Sequence, residues 1–236
     1  MAEKKKKRSS GFALSLSSSL IAILLGLLVG GILLFIFNPS HAMEGLRNLM
    51  VTGFSSKERF AKVLYTSCPL ILCGLSVGMA YKASLFNIGA PGQYTIGAMM
   101  ALIATLALKL PWWVGLLFAV IGGAFWGMFP GLLKSLFNVN EVITAIMFNW
   151  IGLFTTNVVL SNIPTTLSSY YGGTVSSRTA NLAVANPSGI IPKAGLDKIF
   201  NSDYINISIF IVILIAILCH IVLNKTTFGY ELKACG

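Results

Sequence analysis

Six apolar runs dominate this 236-residue chain: Leu20–Phe37, Val63–Ala80, Tyr94–Leu110, Trp112–Phe129, Val142–Leu160 and Ile205–Leu223. Each is 17 to 19 residues long, near the length at which an α-helix crosses the hydrocarbon of a bilayer. A backbone in lipid has to satisfy its own polar groups, so runs of this kind become helices. Charged residues make up only 10% of the chain, and its mean hydropathy is +0.81. Soluble domains carry about a quarter charged residues, so an ordinary soluble enzyme, a disordered tail and a secreted disulfide scaffold are excluded. The expected fold is all-α: a polytopic transmembrane helix bundle of about six spans, with one broken segment near residues 81–93.

The net charge of +10 is concentrated at one end, because five of the 17 basic residues form the run Lys4-Lys5-Lys6-Lys7-Arg8. A basic run just before an apolar span marks a cytoplasmic N-terminus and can touch anionic lipid. It does not describe a nucleic-acid surface, and no nucleic-acid partner is expected. The tripeptide Ser40-His41-Ala42 loosely resembles a signal cleavage site. The apolar stretch before it exceeds the roughly 7–15 residues of a signal core, so the first span is expected to be retained. The organisation read from this is a basic cytoplasmic terminus at 1–19, a membrane domain at 20–223 and a cytoplasmic tail at 224–236. The stretch 161–204 holds 44 residues rich in Ser, Thr, Asn, Gly and Pro and falls outside the membrane. It is too long for a simple connection, so it is expected to fold over the outer mouth or to meet a partner.

Two joints between runs are unusual. Pro111 alone separates the third run from the fourth, with Trp112 and Trp113 placed as interfacial anchors. The other joint, Tyr81–Gln93, carries one charge, Lys82, among two glycines, a proline, Asn87 and Gln93. Ala90-Pro91-Gly92 is expected to break a helix there, since proline removes a donor and glycine loosens the backbone. A break at membrane depth frees backbone groups that only protein or a watery cavity can satisfy, and transporters place binding sites at such breaks. A plain cytoplasmic turn fits the composition equally well. Glycine pairs at i and i+4 (26/30, 74/78, 123/127 and 127/131) point to close helix packing.

The runs lack most reactive chemistry. No Asp, Arg or Lys is central in any of them; Glu141 starts the fifth and His220 lies near the end of the sixth. Ion-coupled carriers need buried carboxylates or a proton relay. A membrane enzyme needs a base, a nucleophile pair or metal ligands at depth. Neither pattern is present, nor is a P-loop, and no metal or cofactor is expected. Cys68, Cys73, Cys219 and Cys235 show no C-x-x-C spacing and are read as small packing residues. The polarity left inside is uncharged: Asn87, Gln93, Thr144, Asn149 and Asn157. Amides and hydroxyls suit a neutral, hydrogen-bonding solute, and they equally suit bonds between helices.

Three motifs in order carry a resemblance. Cys68-Pro-Leu-Ile-Leu-Cys-Gly-Leu leads to Leu85-Phe-Asn-Ile-Gly-Ala-Pro-Gly-Gln93 and Gly97-Ala98. Asn140-Glu-Val-Ile-Thr-Ala-Ile-Met-Phe-Asn149-Trp follows, and then Thr227-Phe-Gly-Tyr-Glu-Leu-Lys-Ala-Cys-Gly236. Together they resemble the permeases of ABC importers for simple sugars and nucleosides, within the branched-chain amino acid and ribose-type permease superfamily. The likeness covers about residues 63–160 and 225–236. It departs at Pro91, where the family often has Glu, and at Ala83-Ser84, where Gly is common. It departs again at Lys233, where the usual Arg would add a planar fork. The resemblance further implies that the chain stops inside its coupling motif, so that it is an incomplete permease.

The resemblance implies a transport subunit, not an enzyme, that forms a solute pathway for nucleosides or simple sugars. Phe86, Asn87, Gln93, Glu141, Thr144 and Asn149 would line that path. Gly229, Glu231, Lys233, Ala234 and Gly236 would begin the helix that docks on a cytoplasmic ATPase. The implied partners are that ATPase, a second permease subunit in a homo- or heterodimer, a lipid-anchored solute-binding protein and the lipid of the cell membrane. The alternatives from the residues alone are a secondary carrier or facilitator for a neutral solute and a non-transporting membrane scaffold.

Overall fold

A computed structural model describes residues 2–173 and 178–235. Side chains of residues 1–16, Ser19 and Cys235 lie outside that description, as does Gly236 of the expected coupling set. The chain divides into two compact units, Met1–Phe60 and Ala61–Gly236.

The first unit is built on one long helix, α1 (Ala2–Phe37), whose apolar part from Leu20 to Phe37 is long enough to cross a membrane. Large apolar side chains such as Leu24, Leu28 and Ile32 stand exposed along it, as a lipid-facing surface requires. Asn38 ends the helix, and Pro39 opens α2 (Pro39–Val51). Proline is suited to a first turn, where its missing N–H has no helical partner.

The second unit takes in most of α3 (Lys57–Tyr81), then α4 (Ala90–Leu102), α5 (Trp112–Phe137), α6 (Glu141–Ser161) and α9 (Ser208–Lys225). Two short helices, α7 (Leu182–Ala185) and α8 (Leu196–Phe200), lie between α6 and α9, and α10 (Thr227–Cys235) closes the chain. Among the described residues, five helices are long and apolar enough to span a bilayer: those holding Leu20–Phe37, Lys57–Tyr81, Trp112–Phe137, Glu141–Ser161 and Ser208–Lys225. No strand occurs among the described residues; Leu167 and Thr179 form an isolated bridge. The polytopic helical bundle read from the sequence is the observed fold.

The third apolar run is realised differently from the others. It is a 13-residue α-helix followed directly by a π-helical turn, Ile103–Ala107. This element is the centre of the unit, packed between α5 and α6. Ile96, Met99 and Leu160 form its buried core, flanked by Trp126 and Val159. Ala104 and Leu106 in the π turn are fully buried. The close approach of α4 to α5 needs Gly97, since a Cβ there would sit 2.9 Å from the Ala119 carbonyl oxygen. Of the four glycine pairs, Gly123/Gly127 packs against α4, through Gln93. A Cβ at Gly26, Gly30, Gly74, Gly78 or Gly131 would meet nothing within 4 Å in this chain.

Two boundary expectations are corrected. Ala90-Pro91-Gly92 does not interrupt a helix; it is the first turn of α4, and the break is the preceding stretch 82–89. Proline there falls where its fixed φ and missing N–H suit a helix start. The fourth run was expected to end at Phe129, yet α5 continues through Pro130 to Phe137. Neighbouring helices can re-satisfy the backbone groups that an internal proline frees in a membrane helix. Asn138 then stops α5 in a left-handed conformation, φ 51°, with its N–H donating to the Lys134 carbonyl.

The long connection 161–204 has structure of its own. Its short helical turns are tied back by Thr166, fully buried, whose hydroxyl donates to the Leu160 carbonyl at 2.8 Å. Asn186, also buried, reaches the far end of α4. Its Nδ2 donates to the carbonyls of Thr105 and Leu110, each at 2.9 Å. Those are carbonyls that the π turn and the Pro111 joint leave without helical partners. Lys109 donates to the Tyr171 hydroxyl and to the Ala185 carbonyl, adding a second tie at the same end.

Candidate functional site

The opposite end of α4 carries the broken segment. After Tyr81 the chain turns through Lys82–Ser84 and runs irregularly to Gly89. The Gln93 N–H donates to the Gly89 carbonyl at 3.1 Å, a normal first-turn bond. Pro91 has no N–H to satisfy, which leaves the Gly92 N–H and the Ile88 carbonyl. Asn149 of α6 takes both. Gly92 N–H donates to Asn149 Oδ1 at 2.8 Å, and Asn149 Nδ2 donates to the Ile88 carbonyl at 3.0 Å. Gly92 is required by this approach, since a Cβ would lie 2.8 Å from Oδ1 and 3.0 Å from the Asn149 Cα.

The residues just outside that bracket, Asn87 and Gln93, face each other. Gln93 Nε2 donates to Asn87 Oδ1 at 3.2 Å, and Asn87 Nδ2 donates to Gln93 Oε1 at 3.4 Å. Asn87 Nδ2 also donates to the Ser76 hydroxyl of α3 at 2.9 Å. The pair borders a cavity of about 170 Å³, lined also by Phe86, by Pro130 and Lys134 of α5, and by Glu141 of α6.

The start of α6 explains the Asn140–Thr144 motif physically. Asn140 caps the helix, its Oδ1 accepting from the Val142 N–H at 2.9 Å. Glu141 is the first helical residue, where a carboxylate meets the positive end of the helix dipole. It pairs with Lys134, in the last turn of α5, at 3.0 Å. Thr144 is buried and its hydroxyl donates to the Asn140 carbonyl at 2.9 Å. Behind the cavity, Trp126 Nε1 donates to the Phe148 carbonyl at 3.2 Å and its ring meets that of Phe148 at 5.4 Å.

Of the six residues expected along a path, the structure brings Phe86, Asn87, Gln93 and Glu141 to one cavity. Thr144 is bonded within its own helix, and the polar atoms of Asn149 are engaged by backbone. Lys134 and Ser76 belong to the same cluster and were missed. Lys134 lies beyond the expected end of its span, and Ser76 sits in an apolar run with no motif around it. The cavity offers one aromatic ring, two amides and an ion pair. That set offers hydrogen-bond donors and acceptors and a ring face, and it has no nucleophile poised on a base.

Of the expected coupling residues, Gly229, Glu231, Lys233 and Ala234 lie on α10. Glu231, Lys233 and Ala234 are exposed, with Phe228 and Tyr230 more than half exposed beside them. Gly229 serves the corner between α9 and α10. A Cβ there would run into the carbonyl oxygens of Val222 and Leu223. The Thr226 hydroxyl donates to the Val222 carbonyl at 2.6 Å and accepts from the Gly229 N–H at 3.2 Å. Lys233 donates to Asn224 Oδ1 at 2.8 Å across the same corner.

Comparison with known proteins bears on both sites. The chain is 32% identical over 221 residues to the guanosine ABC transporter permease protein of Bacillus subtilis, covering 92% of this chain and 60% of that one. It is 32% identical over 229 residues to the nucleoside ABC transporter permease protein of Lactococcus lactis, covering 92% and 59%. It is 28% identical over 232 residues to the glucose ABC transporter permease protein of Haloferax volcanii, covering 94% and 59%. The chain therefore spans about 60% of the length of these curated relatives. No solved structure matches it. A family profile described as branched-chain amino acid transport system / permease component matches residues 59–236, which takes in the broken segment, the cavity and the α9–α10 corner. With five membrane-capable helices and that match across most of its length, the chain is a multi-pass membrane protein belonging to the permease component family of the branched-chain amino acid transport system.

Proposed function

We propose that this chain forms the solute pathway of an ATP-driven importer for nucleosides or simple sugars, in the cell membrane, with its basic N-terminus cytoplasmic. The carrying observation is the broken segment, where Asn87 and Gln93 face a cavity across α3, α4, α5 and α6. Irregular backbone at membrane depth belongs beside a cavity, and neutral amides suit a solute rich in hydroxyl and ring-nitrogen groups. The relatives' names, guanosine, nucleoside and glucose permeases, favour those solute classes. Nucleosides come first, since Phe86 offers a ring face beside the two amides.

The energy source is a separate ATPase. Exposed Phe228, Tyr230, Glu231 and Lys233 on α10 are the surface it would grip. A rigid α9–α10 corner would pass its closure to the membrane helices, because packed rigid elements move between discrete arrangements. A second permease subunit and a lipid-anchored solute-binding protein complete the assembly. Uptake of radiolabelled guanosine and glucose by cells with and without the gene tests this reading. ATP-dependent uptake lost on deletion is expected. Uptake that survives ATP depletion, with no ATPase co-purifying, overturns it in favour of a facilitator.

A further inference from the structure

Asn149 differs from every other polar side chain at the broken segment. Its amide has a donor nitrogen and an acceptor oxygen, as a peptide group does, and engages them with the Ile88 carbonyl and the Gly92 N–H. The Gly92 N–H is one of the donors that a helix start leaves open, and the Ile88 carbonyl lies in the irregular stretch just before the helix. The two pinned residues lie immediately inside the two cavity amides: Asn87 precedes Ile88, and Gln93 follows Gly92. The pin itself is held from behind, because Trp126 of α5 bonds the carbonyl of Phe148, the residue before Asn149. The approach is close enough that a Cβ on Gly92 would lie 3.0 Å from the Asn149 Cα, so no larger residue fits on that side of α4.

We infer that Asn149 is a positioning residue: it fixes Ile88 and Gly92 so that Asn87 and Gln93 are presented to the cavity as a pair, and it does not itself bind solute. This rests on the cavity being the solute path.

The test compares Asn149→Asp with Asn149→Leu in the complete permease, assembled with its partners. A carboxylate at 149 still accepts from Gly92 but confronts the Ile88 oxygen with a second negative oxygen. A protonated carboxyl donates to Ile88 and restores both bonds. Leucine restores neither at any pH. The titratable side chains nearest this segment are Tyr81 at the end of α3, Tyr94 of α4, Lys134 of α5 and Glu141 of α6, with Lys82 in the joint; Lys134 and Glu141 pair with each other. Activities are therefore normalised to the native complex at each pH. Losing a bond to a buried group costs about tenfold in a rate or affinity. Guanosine uptake by Asn149→Asp, or glucose uptake where the native complex carries that instead, is expected to fall about tenfold at neutral pH. It should return toward native in mild acid, while Asn149→Leu stays low throughout.

The melting temperature of each purified permease is read over the same pH range, independently of any solute. It should rise toward native on acidification for Asn149→Asp alone. Uptake and melting of Asn149→Asp that show no such recovery overturn the pin. A native complex that moves neither solute overturns the transport reading instead, and the melting series then decides the pin by itself.

Discussion

The two ends of α4 use the same device for different purposes. At each end one asparagine amide, reached from a distant part of the chain, satisfies backbone atoms that the helix leaves open. Asn149 does this at the start and Asn186 at the end. Asn149 sits on a helix, is half-buried, and brackets a segment whose side chains line a cavity. Asn186 sits on a connection between helices, is buried, and seals the π turn against Thr105 and Leu110. The first end is built to present polar groups and the second to hide them. A break in a helix is therefore not itself a site; it becomes a candidate where the repair leaves other polar side chains unburied.

The comparison can be broken most severely at Gly92. Gly92→Leu drives a side chain into the Asn149 backbone, and overpacking of that kind costs about 1–3 kcal/mol before the lost bonds are counted. The expected result is loss of assembled complex or a large fall in uptake, read by co-purification and radiolabelled uptake together. Asn186→Ala comes next. It strands two carbonyls, each a penalty of about 1–3 kcal/mol if water cannot reach it. A lowered melting temperature with unchanged KM is expected, since that end presents nothing to solute.

The α9–α10 corner gives a third, smaller contrast. Gly229→Ala should disturb the corner itself, whereas Tyr230→Ala alters only exposed surface. Both should weaken ATPase co-purification, and only the first should also lower the permease's own melting temperature. The smallest effect is expected at Asp203, whose carboxylate lies 2.6 Å from Lys193. The hydrogen bond from Lys193, and then its charge, hold the Asp203 carboxyl below its usual range, and the same bond raises Lys193. The carboxylate's contribution is present above its unfolded pKa and lost as pH falls through the lowered folded one. The Lys193 contribution is lost only as pH rises through its raised value. Both groups are exposed, where such pairs are screened and weak. Asp203→Asn should shift the melting temperature barely at neutral pH, and that difference should vanish in acid.

Most of the fold was legible because lipid makes length and hydropathy decisive. The run at Val142–Leu160 became a helix with little change in its bounds, and Leu20–Phe37 became the apolar part of the longer α1. The third run was legible as apolar but not as α plus π, because its end is set by Asn186, 81 residues away from Thr105. Ala90-Pro91-Gly92 has the chemistry of a breaker and of a helix start alike, and only the position of Asn149 decides between them. Lys134 was hidden for a related reason. The apolar run ends at Phe129, and α5 runs on through Pro130 to Phe137. Asn87 and Gln93 could be marked by type, as amides in a joint poor in charge, though a plain cytoplasmic turn fitted that composition equally well. That they bond each other at the edge of a cavity could not, since the turn joining them is fixed by a residue 57 positions past Gly92.

The most direct measurement is the kinetics of guanosine and glucose uptake by Asn87→Leu, Gln93→Leu and Asn186→Ala permeases at matched levels of assembled complex. If the start of α4 presents the solute path, the first two raise KM or lower the maximal rate by about tenfold, the scale of one lost hydrogen bond to a polar solute. Asn186→Ala should then keep native kinetics per assembled complex. Native kinetics in Asn87→Leu and Gln93→Leu, or equal losses in all three, would contradict the account.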